Sequence, residues 1–469
     1  IITKNGLGNS KFGKVFAGYG GPDNRFNVGA NFSTFKNDRR FSILAMSNNI
    51  NQQNFNIQDL VGATSTGNSG GSGGGGFRGG QGGGRGANNT IGNFLVGQQN
   101  GIATTTALGL NYSNKMGKQK KVTLSGSYFF NGTKNINASS TIRNYILSND
   151  SSLVYDEEKN VTSKNFNNRL NLRIEYAIDS NNSLTFTPNF STQHYNSSSF
   201  LNATNTRNND AVESATQNNQ STKQFGINFS NDLLYQHKFA KKGRTISFNL
   251  NTAANTKNSN GSLFTLNNYQ TDTTIVIDSI DQKSSLKTRS YTVGGNIVYT
   301  EPIKKYGQIS INYAPSFTKT TSNKHTDNYD VLTDSYTLQD TALSNQFNNT
   351  YITNKLGITY RYNNKKLSWN IGIVGQDALL RSEQVAPKTV SVNKNFLSLL
   401  PNAELNYKFS KTENLRFFYR TNNNPPSISQ LQNVIDNSNS LILTSGNPDL
   451  KQNFSQTIGL RYGRANTTK

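Results

Sequence analysis

Hydrophobic and polar residues alternate with a period of two along most of the chain. From Val122 the sequence reads V-T-L-S-G-S-Y-F-F, which puts Val122, Leu124, Tyr128 and Phe130 on one face and Thr123, Ser125 and Ser127 on the other. Leu170, Leu172, Ile174, Tyr176 and Ile178 alternate in the same way with Asn171, Arg173, Glu175 and Ala177, and the pattern returns at Ile309/Ile311/Tyr313, Leu356/Ile358/Tyr360/Tyr362 and Ile458/Leu460/Tyr462. Successive side chains of a strand point to opposite faces, so this period predicts β-strands. No stretch carries a helical stripe over three turns. The chain reads as all-β, with about 16 strands at 11–20, 25–35, 40–47, 105–113, 121–131, 168–178, 183–198, 223–238, 244–256, 285–300, 307–319, 351–362, 367–380, 396–409, 415–421 and 452–462.

The connections have a rhythm of their own. Short polar turns at Asp179–Asn182, Ala240–Arg244, Pro302–Tyr306, Asn363–Lys366 and Ser410–Asn414 alternate with long polar stretches at 131–168, 201–222, 257–284, 320–350, 381–395 and 421–451, read as loops. Tight turns at one end and long loops at the other are the habit of an antiparallel barrel that crosses the bacterial outer membrane. Tyr176, Tyr299, Tyr306, Tyr360, Tyr362, Phe409 and Tyr419 gather towards strand ends, as an interfacial girdle requires.

Composition sharpens this reading. Only 33% of the 469 residues are hydrophobic, and mean hydropathy is -0.65, yet there are 27 Phe and 21 Tyr. Disordered chains are poor in aromatics, whereas a barrel with lipid on one face and water on the other is polar and aromatic at once. No run approaches the roughly 18 apolar residues of a membrane helix. With no cysteine, disulfides and thiolate metal sites are excluded. The start, Ile1-Ile2-Thr3-Lys4, has neither the basic region nor the apolar core of a signal peptide, so the expectation is a processed chain or a fragment.

The net charge of +22 first raises nucleic acid as a partner. Placement argues against it: Lys115, Lys118, Lys120, Lys121, Lys241, Lys242, Arg244, Lys304, Lys305, Lys365 and Lys366 sit in the short turns. Arg173, Arg361, Arg416 and Arg420 alternate with apolar residues and are expected on the water-filled face. The Gly-rich tract Gly67–Gly86 holds one Phe and two Arg and reads as the tip of a flexible loop over 62–92, not as a nucleic-acid tract or a P-loop. His194, His237 and His325 lack ligand spacing, and Asp156-Glu157-Glu158 and Asp327/Asp330/Asp334 read as solvated loop charge. No nucleophile motif is present, so no enzyme, metal site or cofactor is expected.

Three local sequences carry a family resemblance. Ile1-Ile2-Thr3-Lys4-Asn5-Gly6 resembles the segment that ends the plug domain of TonB-dependent receptors. Asn424-Pro425-Pro426-Ser427 with Leu431, and Ser445-Gly446-Asn447-Pro448-Asp449-Leu450-Lys451, are similar to elements found late in the barrels of that family. The Gly-rich insert, Asn93–Gly97 and the Y-F-F-N-G-T run at 128–133 resemble large outer-membrane barrel proteins related to it. The resemblance implies an integral outer-membrane barrel of about 22 strands closed by a plug, of which residues 1–469 are the partial barrel. It also implies an unknown scarce extracellular ligand, a TonB energy complex as partner of the plug, and lipid and lipopolysaccharide around the wall. Tyr155, Tyr269, Tyr329 and Tyr336 are then the expected ligand contacts of the outer mouth. Arg173, Arg361, Arg416 and Arg420 either meet the plug or an anionic ligand, or are charges that a wet interior tolerates. A plugless barrel that docks an envelope assembly and a surface adhesin are the alternative functions.

Overall fold

The computed structural model describes residues 9–22, 24–51, 100–146, 152–207, 211–270, 274–410, 412–424, 426, 430, 445–447 and 449–465. Seventeen strands account for most of them: β1 (Ser10–Gly20), β2 (Arg25–Lys36), β3 (Arg39–Asn48), β4 (Ile102–Met116), β5 (Val122–Ile146), β6 (Ser152–Ala177), β7 (Asn182–Arg207), β8 (Ala211–Lys238) and β9 (Thr245–Gln270). The remainder are β10 (Ile275–Ile303), β11 (Gly307–Asp330), β12 (Ser335–Gln339), β13 (Asn345–Asn363), β14 (Leu367–Ala386), β15 (Val390–Lys408), β16 (Glu413–Asn424) and β17 (Asn453–Arg464). All belong to one sheet, and the paired strands run antiparallel to their sequence neighbours. Among the described residues no helix is long and apolar enough to cross a membrane.

All sixteen expected strands are present, and so are the five short turns. The loops need correction. The stretch expected as a loop at 131–168 is strand up to Ile146 and again from Ser152, and 201–222, 257–284 and 381–395 are likewise mostly strand. The stretch 320–350 holds the end of β11, the added strand β12 and the start of β13. These stretches are rich in Asn, Ser and Thr, so both faces are polar and the hydropathy alternation vanishes; backbone ladder bonds persist without it. Strands of 24 to 29 residues result in β10 and β11, against the roughly 9 to 11 that cross a bilayer. The Gly-rich stretch 62–92, Ile1–Gly6, Asn93–Gly97 and most of 425–444 lie outside the described residues.

The chain forms two compact units, one of residues 1–174, 189–227 and 259–281, the other of 175–188, 228–258 and 282–469. Within the second, burial is inverted relative to a water-soluble core. Leu356, Ile358, Ile371, Leu399, Ile458 and Leu460 are exposed on one face, while Gln376 is 1% and Asn349 6% exposed on the other. The first unit does the same, with Val15, Phe32 and Leu108 outward and Thr105, Asn111, Thr216 and Asn267 buried. An exposed apolar face of this extent needs lipid to cover it.

Candidate functional site

The end of the second unit opposite the short turns carries a tight side-chain cluster. β11 ends at Asp330, whose carboxylate accepts from the Leu332 amide at 2.9 Å and the Thr333 hydroxyl at 3.0 Å, turning the chain into β12. A register shift between Asn328 and Tyr329 then sets Tyr329 directly opposite Tyr336. Their rings meet edge to face at 5.4 Å, and the Tyr329 hydroxyl donates to Asp334. Lys283 of β10 completes the cluster, its Nζ 3.9 Å from the centre of the Tyr336 ring. Beside it, Gln282 Nε2 donates to Asn328 at 2.7 Å, and His325 Nε2 lies 2.9 Å from Asp327. Asp340 accepts from the amides of Ala342 and Leu343, both at 3.0 Å, and closes the hairpin. The cluster thus combines two half-buried tyrosine rings and one ammonium on a hydrogen-bonded base, with Val331 and Leu332 bare at the tip. Such surfaces hold flat or cationic groups by stacking and charge.

Of the four expected tyrosines, Tyr329 and Tyr336 are brought together. Tyr155 lies in β6 of the first unit, 1% exposed, its hydroxyl bonded to Glu157 and its ring under Arg143. Tyr269 is at the end of β9 in the same unit and partly exposed. Lys283 and Gln282 were not singled out from the sequence, because their approach to β12 depends on the register of β10 with β11.

The four arginines fall on the face opposite the exposed apolar residues. Arg416 directs Nε (2.8 Å) and Nη2 (2.6 Å) at one oxygen of Glu404. Arg420 lies over the Phe418 ring at 5.2 Å. Arg361 is exposed beside Tyr360 and Tyr362, and the backbone oxygen of Arg173 accepts from Ser125 in the first unit. Near the end of the Ser445–Lys451 element Lys394 Nζ of β15 donates to the Leu450 oxygen, and just after it Gln452 Nε2 donates to the Tyr351 hydroxyl of β13, both at 3.3 Å. Among the described residues no three His, Cys, Asp or Glu are grouped to hold a metal ion.

Inverted burial, antiparallel strands longer than a bilayer and one-ended turns now have a match in sequence. Residues 237–468 fit the model of the outer membrane protein beta-barrel family. The protein is an outer-membrane β-barrel protein. No curated protein sequence matches this barrel protein. Among solved structures it is similar to the siderophore receptor PiuA from Acinetobacter baumannii, at 10% identity over 88% of this chain and 77% of that one, with a TM-score of 0.31. It is also similar to the ferric-catecholate import receptor Fiu from E. coli K12 (10% identity, 89% and 73% covered, TM-score 0.25) and to the siderophore receptor PirA from Pseudomonas aeruginosa (8%, 87% and 76%, TM-score 0.23).

The turn end of the barrel has its own electrostatics. In the second unit Glu301 receives Arg244 Nε at 2.7 Å, Lys241 Nζ at 2.6 Å and the Tyr299 hydroxyl at 2.7 Å. These donors, Arg244 foremost, hold its carboxyl far below the ordinary range. In the first unit the hydrogen bond from Lys120, at 2.5 Å, lowers Asp38 and ties the β2–β3 turn to the β4–β5 turn.

Proposed function

We propose that this barrel is the wall of an energised transporter of the TonB-dependent receptor kind, which imports a scarce ligand across the outer membrane. The reading rests above all on the Tyr329–Tyr336–Lys283 cluster, an aromatic and cationic contact surface standing at the strand ends opposite the short turns. It is supported by the arginine-bearing polar face of the same unit and by the order of the receptor-like segments at Ile1–Gly6, Asn424–Ser427 and Ser445–Lys451. In this reading a plug domain fills the interior, a TonB complex pulls on it, and lipopolysaccharide surrounds the outer wall. No reacting constellation is invoked, and the protein acts by binding and passage.

The native protein extracted from outer membranes tests this. A plugged transporter leaves a planar bilayer without steady conductance, and its intact mass includes sequence upstream of Ile1. Steady open conductance together with a mass equal to this chain sinks the transporter reading. In cells, alanine at both Tyr329 and Tyr336 should lower uncoupler-sensitive ligand uptake, with the exposed Tyr269 as the next position to examine.

A further inference from the structure

The short turns carry a charge pattern that turn formation does not call for. Lysine pairs recur at Lys241-Lys242, Lys304-Lys305 and Lys365-Lys366, on three successive turns of the second unit. Tight hairpin turns favour Gly, Asn and Asp, which accept positive φ with least strain. Lys304 nevertheless adopts φ +55°, so here a lysine occupies a position where asparagine or glycine would be easier.

The three turns form one continuous edge. Gln308 Nε2 reaches the Gly243 oxygen at 3.4 Å, the Asn363 amide donates to the Tyr306 oxygen at 2.9 Å, and the Lys408 amide to the Lys366 oxygen at 2.8 Å. Glu301 engages Lys241 and Arg244, while Lys242, Lys304, Lys305, Lys365 and Lys366 are exposed.

Directly above this edge lies an aromatic layer on the apolar, lipid-covered face. Trp369 is 5.2 Å from Tyr360 and 6.1 Å from Tyr362, and Tyr306 packs on Tyr362 at 5.9 Å. Tyr362 shares its strand face with the exposed Leu356 and Ile358, and Trp369 shares its face with Ile371. Amphipathic rings of this kind settle at headgroup depth, which places the phosphates of the surrounding leaflet within reach of the lysine stems.

We propose that this lysine-paired rim is a binding site for anionic phospholipid headgroups of the periplasmic leaflet. Rings fix the depth, the lysine pairs supply phosphate contacts, and Glu301 keeps Arg244 and Lys241 in place without cancelling the rim's positive charge. The inference rests on the barrel's membrane orientation and is independent of what the barrel transports.

The chain's single tryptophan, Trp369, lies in this layer and makes the test direct. The full-length protein is reconstituted in phosphatidylcholine vesicles with about a fifth of the lipid replaced by acyl-brominated phosphatidylglycerol or, in parallel, acyl-brominated phosphatidylcholine. Quenching of Trp369 should be roughly twofold greater with the anionic lipid, and the excess should disappear in high salt. It should also disappear when Lys304, Lys305, Lys365 and Lys366 are all replaced by Gln, in protein whose heat-modifiable mobility shows a folded barrel. If that variant does not fold, the salt series on the unaltered protein decides alone. Equal quenching by the two lipids overturns the proposal, as does an excess that survives both treatments. Equal quenching combined with salt-sensitive sedimentation on peptidoglycan sacculi would assign the rim to the cell wall instead.

Discussion

Phe129 lies across Gly109, the residue directly opposite it on β4, so closely that a Cβ at 109 would sit 2.6 Å from the ring. Phe16 covers Gly29, and Phe418 covers Gly459, in the same cross-strand relation. In each pair a ring on the polar face shields bare backbone. Gly109→Ala should therefore displace a side chain that is only 4% exposed and destabilise the barrel by about 1–3 kcal/mol. The urea midpoint of the folded, heat-modifiable form reads this. Gly20→Ala, with open space around it, is the control; equal midpoints for the two variants would refute the packing role.

Amide exchange should distinguish strand from loop in the outer stretches. Residues 131–146 and 152–168 form β-structure in β5 and β6, so their amides should exchange roughly 100-fold or more slowly than an unstructured peptide. Exchange at the peptide rate over both stretches would mean that the ladders stop at the membrane.

Glu301 should remain ionised in acid. Its folded pKa lies below the ordinary value of about 4.3, so its contribution to stability is complete above that value. The contribution is lost progressively as pH falls from there through the lower, folded value. Infrared difference spectra between the unaltered protein and Glu301→Gln should show a carboxylate band near pH 4, and Arg244→Ala should move the protonation midpoint up towards the ordinary range while Lys241 and Tyr299 still hold it below. A protonation midpoint in the ordinary range in the unaltered protein would contradict the three-donor arrangement.

The Lys283–Tyr336 contact should stabilise the β11–β12 hairpin. Tyr336→Ala and Lys283→Ala, combined in a double-mutant cycle, should show coupling of about 0.5–1 kcal/mol. The opening free energy of 331–344, followed by native-state proteolysis, is the quantity to measure. Additive effects would leave the ammonium as a bystander.

The turn-proximal half of each strand was legible because one face is apolar and the other polar, as in Leu356–Tyr362 and Leu367–Ile373. The outer halves were not: around Asn135 or Thr216 both faces are polar, and only backbone pairing sustains the strand. Site residues divided along the same line. Tyr329 and Tyr336 stood out as aromatics in a polar stretch and do meet, whereas Lys283 gained its place from strand register and from the shift at Asn328/Tyr329. Tyr155 had the same sequence signal and lies shut under Arg143, because alternation in a strand with two polar faces gives no sign of which is inward.

Long strands in place of loops alter what the cell surface presents to an immune system or a phage. Along the outer stretch of β9, Leu263, Thr265 and Asn267 are turned away and buried while Phe264 between them is exposed. A linear peptide covering these residues displays them all, so antibodies raised against it should bind denatured protein and miss the intact barrel. Antigenic drift, for its part, would fall at alternate positions, with its period set by the pleat.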